Sequence, residues 1–355
     1  MKKIIVIPGD GIGKEITDSA VAVLKKVDEK FKIGLEFDYR DAGGASYDKY
    51  GEPLTAETLE ACKAADAVLF GAVGGPKWDN IEVSKRPEKA LFGLRKGLGL
   101  YGNLRPVKIY DALIDGSPLR PEIVAGSDIL IVRELVGGIY FGPRCESEIV
   151  DGVERAFDTE VYSVPEIERI ARLAFESART RRYKKVTSVD KANVLASSRL
   201  WRRVVNEVAK DYDDVILEHL YIDNAAAQLT IHPTRFSILL ANNGYGDILS
   251  DEAACLSSSL GLLPSISIGG ITNFAESSSG SAPDIAGRGI ANPIGEILSA
   301  ALLLRYSLKN EDAAQAIESA VDKTLADGYR TADIYKDGLN RVNTVEMTNA
   351  IIDRI

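Results

Sequence analysis

Two aspartates four residues apart, Asp247 and Asp251 in GDILSDEAA, put two carboxylates on one face if the segment is helical. Paired carboxylates suit a hard cation such as Mg2+ or Mn2+. The competing reading is an acidic helix N-terminus made from Ser250, Asp251 and Glu252. Glu88, Leu91 and Arg95 in RPEKALFGLRKG are spaced i, i+3 and i+7 and share a helical face. The guanidinium offers a fork to a carboxylate and the leucine offers an alkyl surface. A surface ion pair beside a core leucine would show the same spacing. Arg105 in NLRP and Arg133 in IVREL lie within or just after apolar runs. Buried there, each requires an acidic partner or an anionic ligand. Lys191 in SVDKANVL follows a strand, and Tyr140 lies in GGIYFG. Taken alone, a solvated lysine and a core-packed aromatic are the ordinary readings of these two.

The elements that position these residues alternate. KKIIVI is a short β-rich run stopped by PGDG, and residues 13–31 carry helical spacing at Ile16, Ala20, Val23, Leu24 and Val27. LEFDYRDAGG reads as a strand, and TAETLEACKAA reads as a helix with Thr55 as N-cap and Glu57 in its first turn. AVLFGAVGG is a continuous apolar run of the kind a buried parallel strand shows. This rhythm predicts an α/β sheet. Further on, DILIVRELVGGIYFG is strand-rich and residues 140–165 read as an extended arm. PEIERIARLAFESARTRR predicts an amphipathic helix, followed by the strand KKVTSVD. PIGEILSAALLLRYSL and EDAAQAIESAVDKTLADGY predict two more helices. Gly9-Asp10-Gly11-Ile12-Gly13 imitates a dinucleotide fingerprint, but Lys14 stands where the third glycine belongs. A tight glycine turn is expected there, not a Rossmann site.

With 355 residues the chain suits two lobes. Its formal net charge of -9 argues against nucleic acid or an anionic membrane as the main partner. Cys62, Cys145 and Cys255 are odd in number and widely spaced, and His219 and His232 are the only histidines. That pattern fits neither a disulfide framework nor a zinc site. The run IIVI stops at Pro8, too short for a signal peptide, and no apolar stretch approaches a membrane span. A soluble cytoplasmic enzyme is expected.

Seven segments occur in order along essentially the whole chain: PGDGIG, VGGPKWD, LRKGLGLYGNLRP, VRELVGGIYFG, SVDKANVL, GDILSD and GSAPDIAGRGIANP. The series resembles the isocitrate/isopropylmalate dehydrogenase family of β-decarboxylating dehydrogenases, which act on 2-hydroxy acids. The resemblance implies a two-lobed α/β fold that is not a Rossmann fold, with the active site between the lobes. It implies a cofactor-side domain of residues 1–103 plus 256–355, and a substrate and dimerisation domain of residues 104–255 that carries the arm. It also implies a homodimer with shared active sites. The activity implied is NAD-dependent oxidative decarboxylation of 3-isopropylmalate to 4-methyl-2-oxopentanoate and CO2, a step of leucine biosynthesis. Matching positions assign Lys191 as general base and Tyr140 as general acid. They give Arg95, Arg105 and Arg133 to the substrate carboxylates, Leu91 to the isopropyl group, and Glu88 to a place near the nicotinamide. Asp223, Asp247 and Asp251 would hold Mg2+ or Mn2+, with Asp223 and Lys191 reaching across the dimer and Asp223 also bordering the substrate. Gly74, Gly75, Glu276, Gly280, Ser281, Ala282, Pro283, Asp284, Ile285 and Asn292 would line the cofactor site. A carboxylate at Asp284 can accept hydrogen bonds from ribose hydroxyls and repels a 2′-phosphate, which favours NAD over NADP; read alone it caps a turn after Pro283.

The chain also departs from the family pattern. The family usually reads Glu-Pro-Val-His before Gly-Ser-Ala-Pro-Asp, and here the segment is Glu276-Ser277-Ser278-Ser279. Ser279 thus replaces a histidine that packs on the adenine, and Ser277 replaces a stiffening proline. Gly244-Tyr245 and the serines 257–259 depart too. The residues assigned chemistry are intact, so a working catalytic centre with an altered cofactor grip is expected. The alternatives are a relative acting on tartrate, homoisocitrate or another 3-substituted malate, and a noncatalytic paralogue impaired in cofactor binding. Leu91 argues against a third carboxylate, which it would leave desolvated and unpaired.

Overall fold

Alternating apolar strands and amphipathic helices build two α/β units in a computed structural model that describes residues 1–355. The first comprises Met1–Leu100, Ile109–Pro118 and Ala254–Ile355, and the second Tyr101–Lys108 and Leu119–Ala253. In the first, strands run in the order Leu35–Tyr39, Lys2–Gly9, Ala67–Ala72, Asn273–Ser277 and Pro264–Ile268. Successive pairs are parallel except the last, which is antiparallel. Ala67–Ala72 is buried at every position, as its unbroken apolar run requires. The Gly13–Phe31 helix buries Ile16, Ala20, Val23, Leu24 and Val27. It packs on the Ile294–Tyr306 and Thr344–Ile352 helices. Ile294–Tyr306 is apolar nearly all round and is buried from Ile294 through Leu304, with Glu296 inside that stretch. Thr55 caps the Ala56–Lys63 helix by accepting the Thr58 N–H at 3.2 Å.

The second unit repeats the plan. Its strands run in the order Gly102–Lys108, Asp128–Glu134, Ile238–Ala241, Lys185–Asp190 and Ile216–Tyr221; the first pair is antiparallel and the rest are parallel. The Val164–Arg179 helix opens with a capping box of Ser163 and Glu166 and buries Ile167, Ile170, Ala171, Ala174 and Phe175. The strand-rich reading of residues 128–142 narrows: the strand ends at Glu134 and the chain then turns. Gly138 adopts φ 81°, which closes that turn. Arg144–Val150 and Val153–Asp158 form an antiparallel hairpin with Ile149, Val153 and Phe157 exposed. No helix is long and apolar enough to cross a membrane.

Candidate active site

The second unit gathers five charged or acidic groups. Asp247 and Asp251 lie well inside the Asn243–Cys255 helix, so the acidic N-terminus reading fails and the shared-face reading stands. The Arg133 side chain, 5% exposed, reaches them from the end of its strand and bonds Asp247 through Nη1. Its Nε and Nη2 both donate to Asn243 Oδ1, at 3.2 and 2.8 Å. A Cβ at Gly246 would sit 2.7 Å from Arg133 Cγ, so glycine is what lets the arginine lie along this helix. Arg105 donates from Nε to Asn103 Oδ1 at 2.8 Å and from Nη1 to Ser250 Oγ at 2.7 Å, and Nη1 lies 3.4 Å from Asp251 and 3.9 Å from Asp247. Tyr140 is neither in a strand nor packed in a core: it is 41% exposed, and its hydroxyl donates to Asp247 Oδ2 at 3.3 Å.

Two cations and two carboxylates therefore share one small region with a phenol. Burial, and then the Asp247 charge, push the Tyr140 hydroxyl above its ordinary range, which keeps it protonated. Burial raises Asp251 while Arg105 opposes it. Two oxygen-bearing side chains one helical turn apart, beside guanidinium groups that attract anions, fit a hard cation together with an anionic substrate. No group of three acidic, histidine or cysteine side chains placed to hold a metal ion forms within the chain. Asp223 instead pairs with Lys191, Nζ to Oδ1 at 2.6 Å, and that bond holds the carboxyl below its ordinary range. Asp223 begins an exposed helical edge with 67% of its side chain accessible, and Lys191 Nζ lies 5.8 Å from the Tyr221 ring centroid.

In the first unit, the glycine turn that imitates a fingerprint is a clasp. Asp10, almost fully buried, accepts the N–H groups of Gly44, Ala45 and Gly74 at 2.8–2.9 Å. Gly74 in turn faces Glu88, whose Oε1 would lie 2.7 Å from a Cβ at that position. Ile12 N–H donates to Ser281 O at 2.8 Å, and a Cβ at Gly11 would meet that oxygen at 2.0 Å. Ile12, Ile16 and Ala291 pack against Ala282, Ile285 and Ala286, so this turn carries the 280–286 loop with Asp284 exposed on it. Asn292 is engaged by the protein: Nδ2 donates to Asp333 at 3.0 Å and Oδ1 accepts the Ile294 N–H at 3.1 Å. On the Glu88–Gly97 helix Glu88 is exposed, Leu91 partly buried and Arg95 buried. Arg95 donates from Nη2 to Glu276 Oε1 at 3.0 Å, tying that helix to the Asn273–Ser277 strand.

A family model for isocitrate/isopropylmalate dehydrogenases matches residues 3–351. The chain belongs to the isocitrate/isopropylmalate dehydrogenase family. It is 57% identical to the 3-isopropylmalate dehydrogenase of Clostridium pasteurianum over 99% of both chains, and 55% identical to that of Xanthomonas euvesicatoria pv. vesicatoria, again over 99% of both. Among solved structures, an isocitrate dehydrogenase from Methylococcus capsulatus aligns with TM-score 0.87 and 36% identity over 100% of this chain and 99% of that one. A β-decarboxylating dehydrogenase from Thermococcus kodakarensis in its apo form aligns with TM-score 0.82 and 38% identity, covering 100% and 96%. As a member of this dehydrogenase family the chain is an oxidoreductase, consistent with a nucleotide cofactor and a divalent metal.

Within this family member the structure brings Arg105, Arg133, Tyr140, Asp247 and Asp251 together and sets Lys191 with Asp223 elsewhere. Residues that the motifs did not single out complete the cluster: Asn243 and Ser250 hold the two arginines, and Glu134 holds the turn before Tyr140. In the sequence Ser250 reads only as part of an acidic helix N-terminus, and Glu134 leaves a trace as an acid closing an apolar strand before Gly137-Gly138. Such a residue needs buried donors.

Proposed function

We propose that the protein is an NAD-dependent, Mg2+- or Mn2+-assisted dehydrogenase that converts 3-isopropylmalate to 4-methyl-2-oxopentanoate and CO2 in leucine biosynthesis. The observation that carries the reading is the cluster of Arg105, Arg133, Tyr140, Asp247 and Asp251, in a chain 57% identical to an enzyme called 3-isopropylmalate dehydrogenase. Arg95, Arg105 and Arg133 bind the malate carboxylates, and Leu91 receives the isopropyl group. Asp247 and Asp251 supply metal ligands, and Asp223 adds a third from the other protomer of a homodimer. The exposed Lys191–Asp223 pair supports that exchange, since within one chain neither residue joins the arginine cluster. A metal held by these aspartates would supply polarisation of the C2 oxygen, and a bound nicotinamide would supply the hydride acceptor. Lys191 removes the C2 hydroxyl proton as the C2 hydride leaves, which makes the ketone. The C3 carboxylate then departs as CO2, and Tyr140 helps deliver a proton to C3. Asp284 and its neighbours Gly280, Ser281, Ala282, Pro283 and Ile285 are proposed to hold the adenosine end, with Gly74, Gly75, Glu276 and Asn292 completing that side. The three free cysteines accord with a reducing compartment such as the cytoplasm.

The deciding experiment is an initial-rate panel of 3-isopropylmalate, isocitrate, homoisocitrate and tartrate, each with NAD and NADP, with and without Mg2+. Turnover highest with 3-isopropylmalate, NAD and Mg2+ is expected. No turnover of 3-isopropylmalate at saturating NAD and Mg2+ would discard the reading.

A further inference from the structure

Behind the arginine cluster lies a buried chain of hydrogen bonds that the chemistry above does not use. Asn243 is 2% exposed, and its Oδ1 holds Nε and Nη2 of Arg133, at 3.2 and 2.8 Å. Two of the three guanidinium nitrogens are fixed on one acceptor, which sets the plane of the fork and aims Nη1 at Asp247. Asn243 is itself held. Its Nδ2 donates to Gly137 O at 3.3 Å and its backbone N–H donates to the Tyr162 hydroxyl at 2.9 Å. That hydroxyl lies 3.3 Å from Glu134 Oε2 and donates to it. A phenol has one proton and two lone pairs, so it can accept from Asn243 and donate to Glu134 at once. Glu134 is completely buried and also accepts the Val136 and Gly137 N–H groups at 2.9 and 2.8 Å, with Arg169 at 3.7 Å.

Packing fixes the phenol in this place. Its ring meets Trp201 edge-on at 5.4 Å between centroids. A Cβ at Gly137 would lie 2.5 Å from Tyr162 Cε1, and one at Gly138 2.6 Å from its hydroxyl. The ring is thus pressed against the turn that leads from Arg133 to Tyr140.

We infer that Tyr162 is a positioning residue for the substrate site, its hydroxyl joining Glu134 to Asn243 and so setting the direction in which Arg133 presents its guanidinium. The inference rests on Arg133 being a ligand of a substrate carboxylate. A bidentate contact depends on the plane of the fork, and misplacement by about 1 Å is enough to weaken it strongly. Removing the hydroxyl leaves the buried Asn243 N–H without its acceptor and frees Asn243 to turn away from Arg133. Tyr140 is reached by a different route, through the Glu134 bonds to Val136 and Gly137, and these survive the loss of the hydroxyl.

The test is steady-state kinetics of the full-length wild type and Tyr162→Phe with 3-isopropylmalate, NAD and Mg2+, alongside thermal unfolding. Phenylalanine keeps the ring and its packing. KM for 3-isopropylmalate is expected to rise about tenfold, with kcat within about threefold and KM for NAD within about twofold. Asn243→Ala should raise the same KM, and adding Tyr162→Phe to it should raise it no further. A lowered Tm with wild-type KM, or additive effects of the two changes, overturns the inference and leaves Tyr162 as a packing residue. If the wild type fails to turn over 3-isopropylmalate, the proposed function falls first and the inference falls with it. If the wild type turns it over and Tyr162→Phe matches its KM, the inference alone falls.

Discussion

The two units share a plan, four parallel-paired strands with an antiparallel fifth, and each leaves some buried polar atoms unpaired, Ser127 Oγ, Arg169 Nε and His219 Nδ1 among them in the second, yet the Arg133 cluster and the serine corner differ. At the cluster of the second unit, Glu134, Asn243 and Tyr162 form a closed network around Arg133. At the Glu276–Gly280 corner of the first unit, Arg95 Nε, Ser278 Oγ and Glu296 Oε1 are buried without partners. Each such atom costs about 1–3 kcal/mol. The corner with unpaired atoms also holds Ser277 and Ser279, where a departure from the family pattern is expected from the sequence, whereas the residues assigned chemistry in the second unit are expected to match that pattern. The contrast teaches where substitution is expected to help and where only to harm. The cluster proposed for the reaction is expected to lose function when touched, while the serine corner has room for improvement.

The largest effects should fall on the chemistry. Lys191→Ala removes the proposed base and should lower kcat by about 10²–10⁴ with little change in KM for 3-isopropylmalate. Tyr140→Phe keeps the ring, removes the hydroxyl that meets Asp247, and should lower kcat in the same range. Steady-state rates at saturating substrate measure both, and near-wild-type kcat in either variant removes that residue from the mechanism.

The fold was legible in the sequence where local pattern and burial agree. Ala67–Ala72 had to be a buried strand because it is apolar without interruption, and Gly13–Phe31 had to be a helix because its apolar residues recur every three or four. The pairing of Asp247 with Asp251 was legible for the same reason, since four residues make one helical turn. The partners of Arg95 and Arg133 were not. Glu276 lies 181 residues from Arg95, and Asn243 lies 110 from Arg133. No local period links them; only the sheet order brings them together. The core-aromatic reading of Tyr140 taken alone fails because the strand ends at Glu134 and the turn at Gly138 leaves the ring exposed. Glu296 was hidden inside an otherwise apolar helix, where spacing alone gave no reason to single out one acid.

A smaller effect, opposite in direction, is expected at the serine corner. Ser279 Oγ lies 2.9 Å from Ser277 Oγ, so the two hydroxyls satisfy one another and offer an adenine no flat surface. Ser279→His supplies a ring for stacking. By analogy with base–aromatic stacking, a gain of about 1.4 kcal/mol corresponds to about tenfold tighter NAD binding. Equilibrium binding of NAD to the wild type and the variant measures this directly. Unchanged or weaker binding would break the contrast on its nucleotide side.

The smallest effect concerns stability, and its sign follows from burial. Glu296 is 1% exposed, accepts the Ser277 N–H at 2.8 Å through Oε2, and leaves Oε1 unpaired. Burial raises this carboxyl well above its ordinary value of 4.5; the Ser277 N–H opposes the shift and the charge of Glu276, itself paired with Arg95, adds to it. Below that ordinary value the folded and unfolded chains both hold the proton, and titration of this group changes nothing. As pH rises above it, the unfolded chain releases the proton while the folded chain keeps it, so stability is lost progressively up to the folded pKa. Glutamine has no proton to release, and its amide oxygen can still accept the Ser277 N–H. Glu296→Gln should therefore melt above the wild type by a margin that widens between pH 5 and pH 8, at about 1–2 °C for each kcal/mol in a chain of this length. Thermal unfolding at the two pH values measures the margin. A margin that stays constant or narrows would mean that Glu296 is ionised in the folded protein, and the corner would then be balanced by a charge partner, as the second unit is.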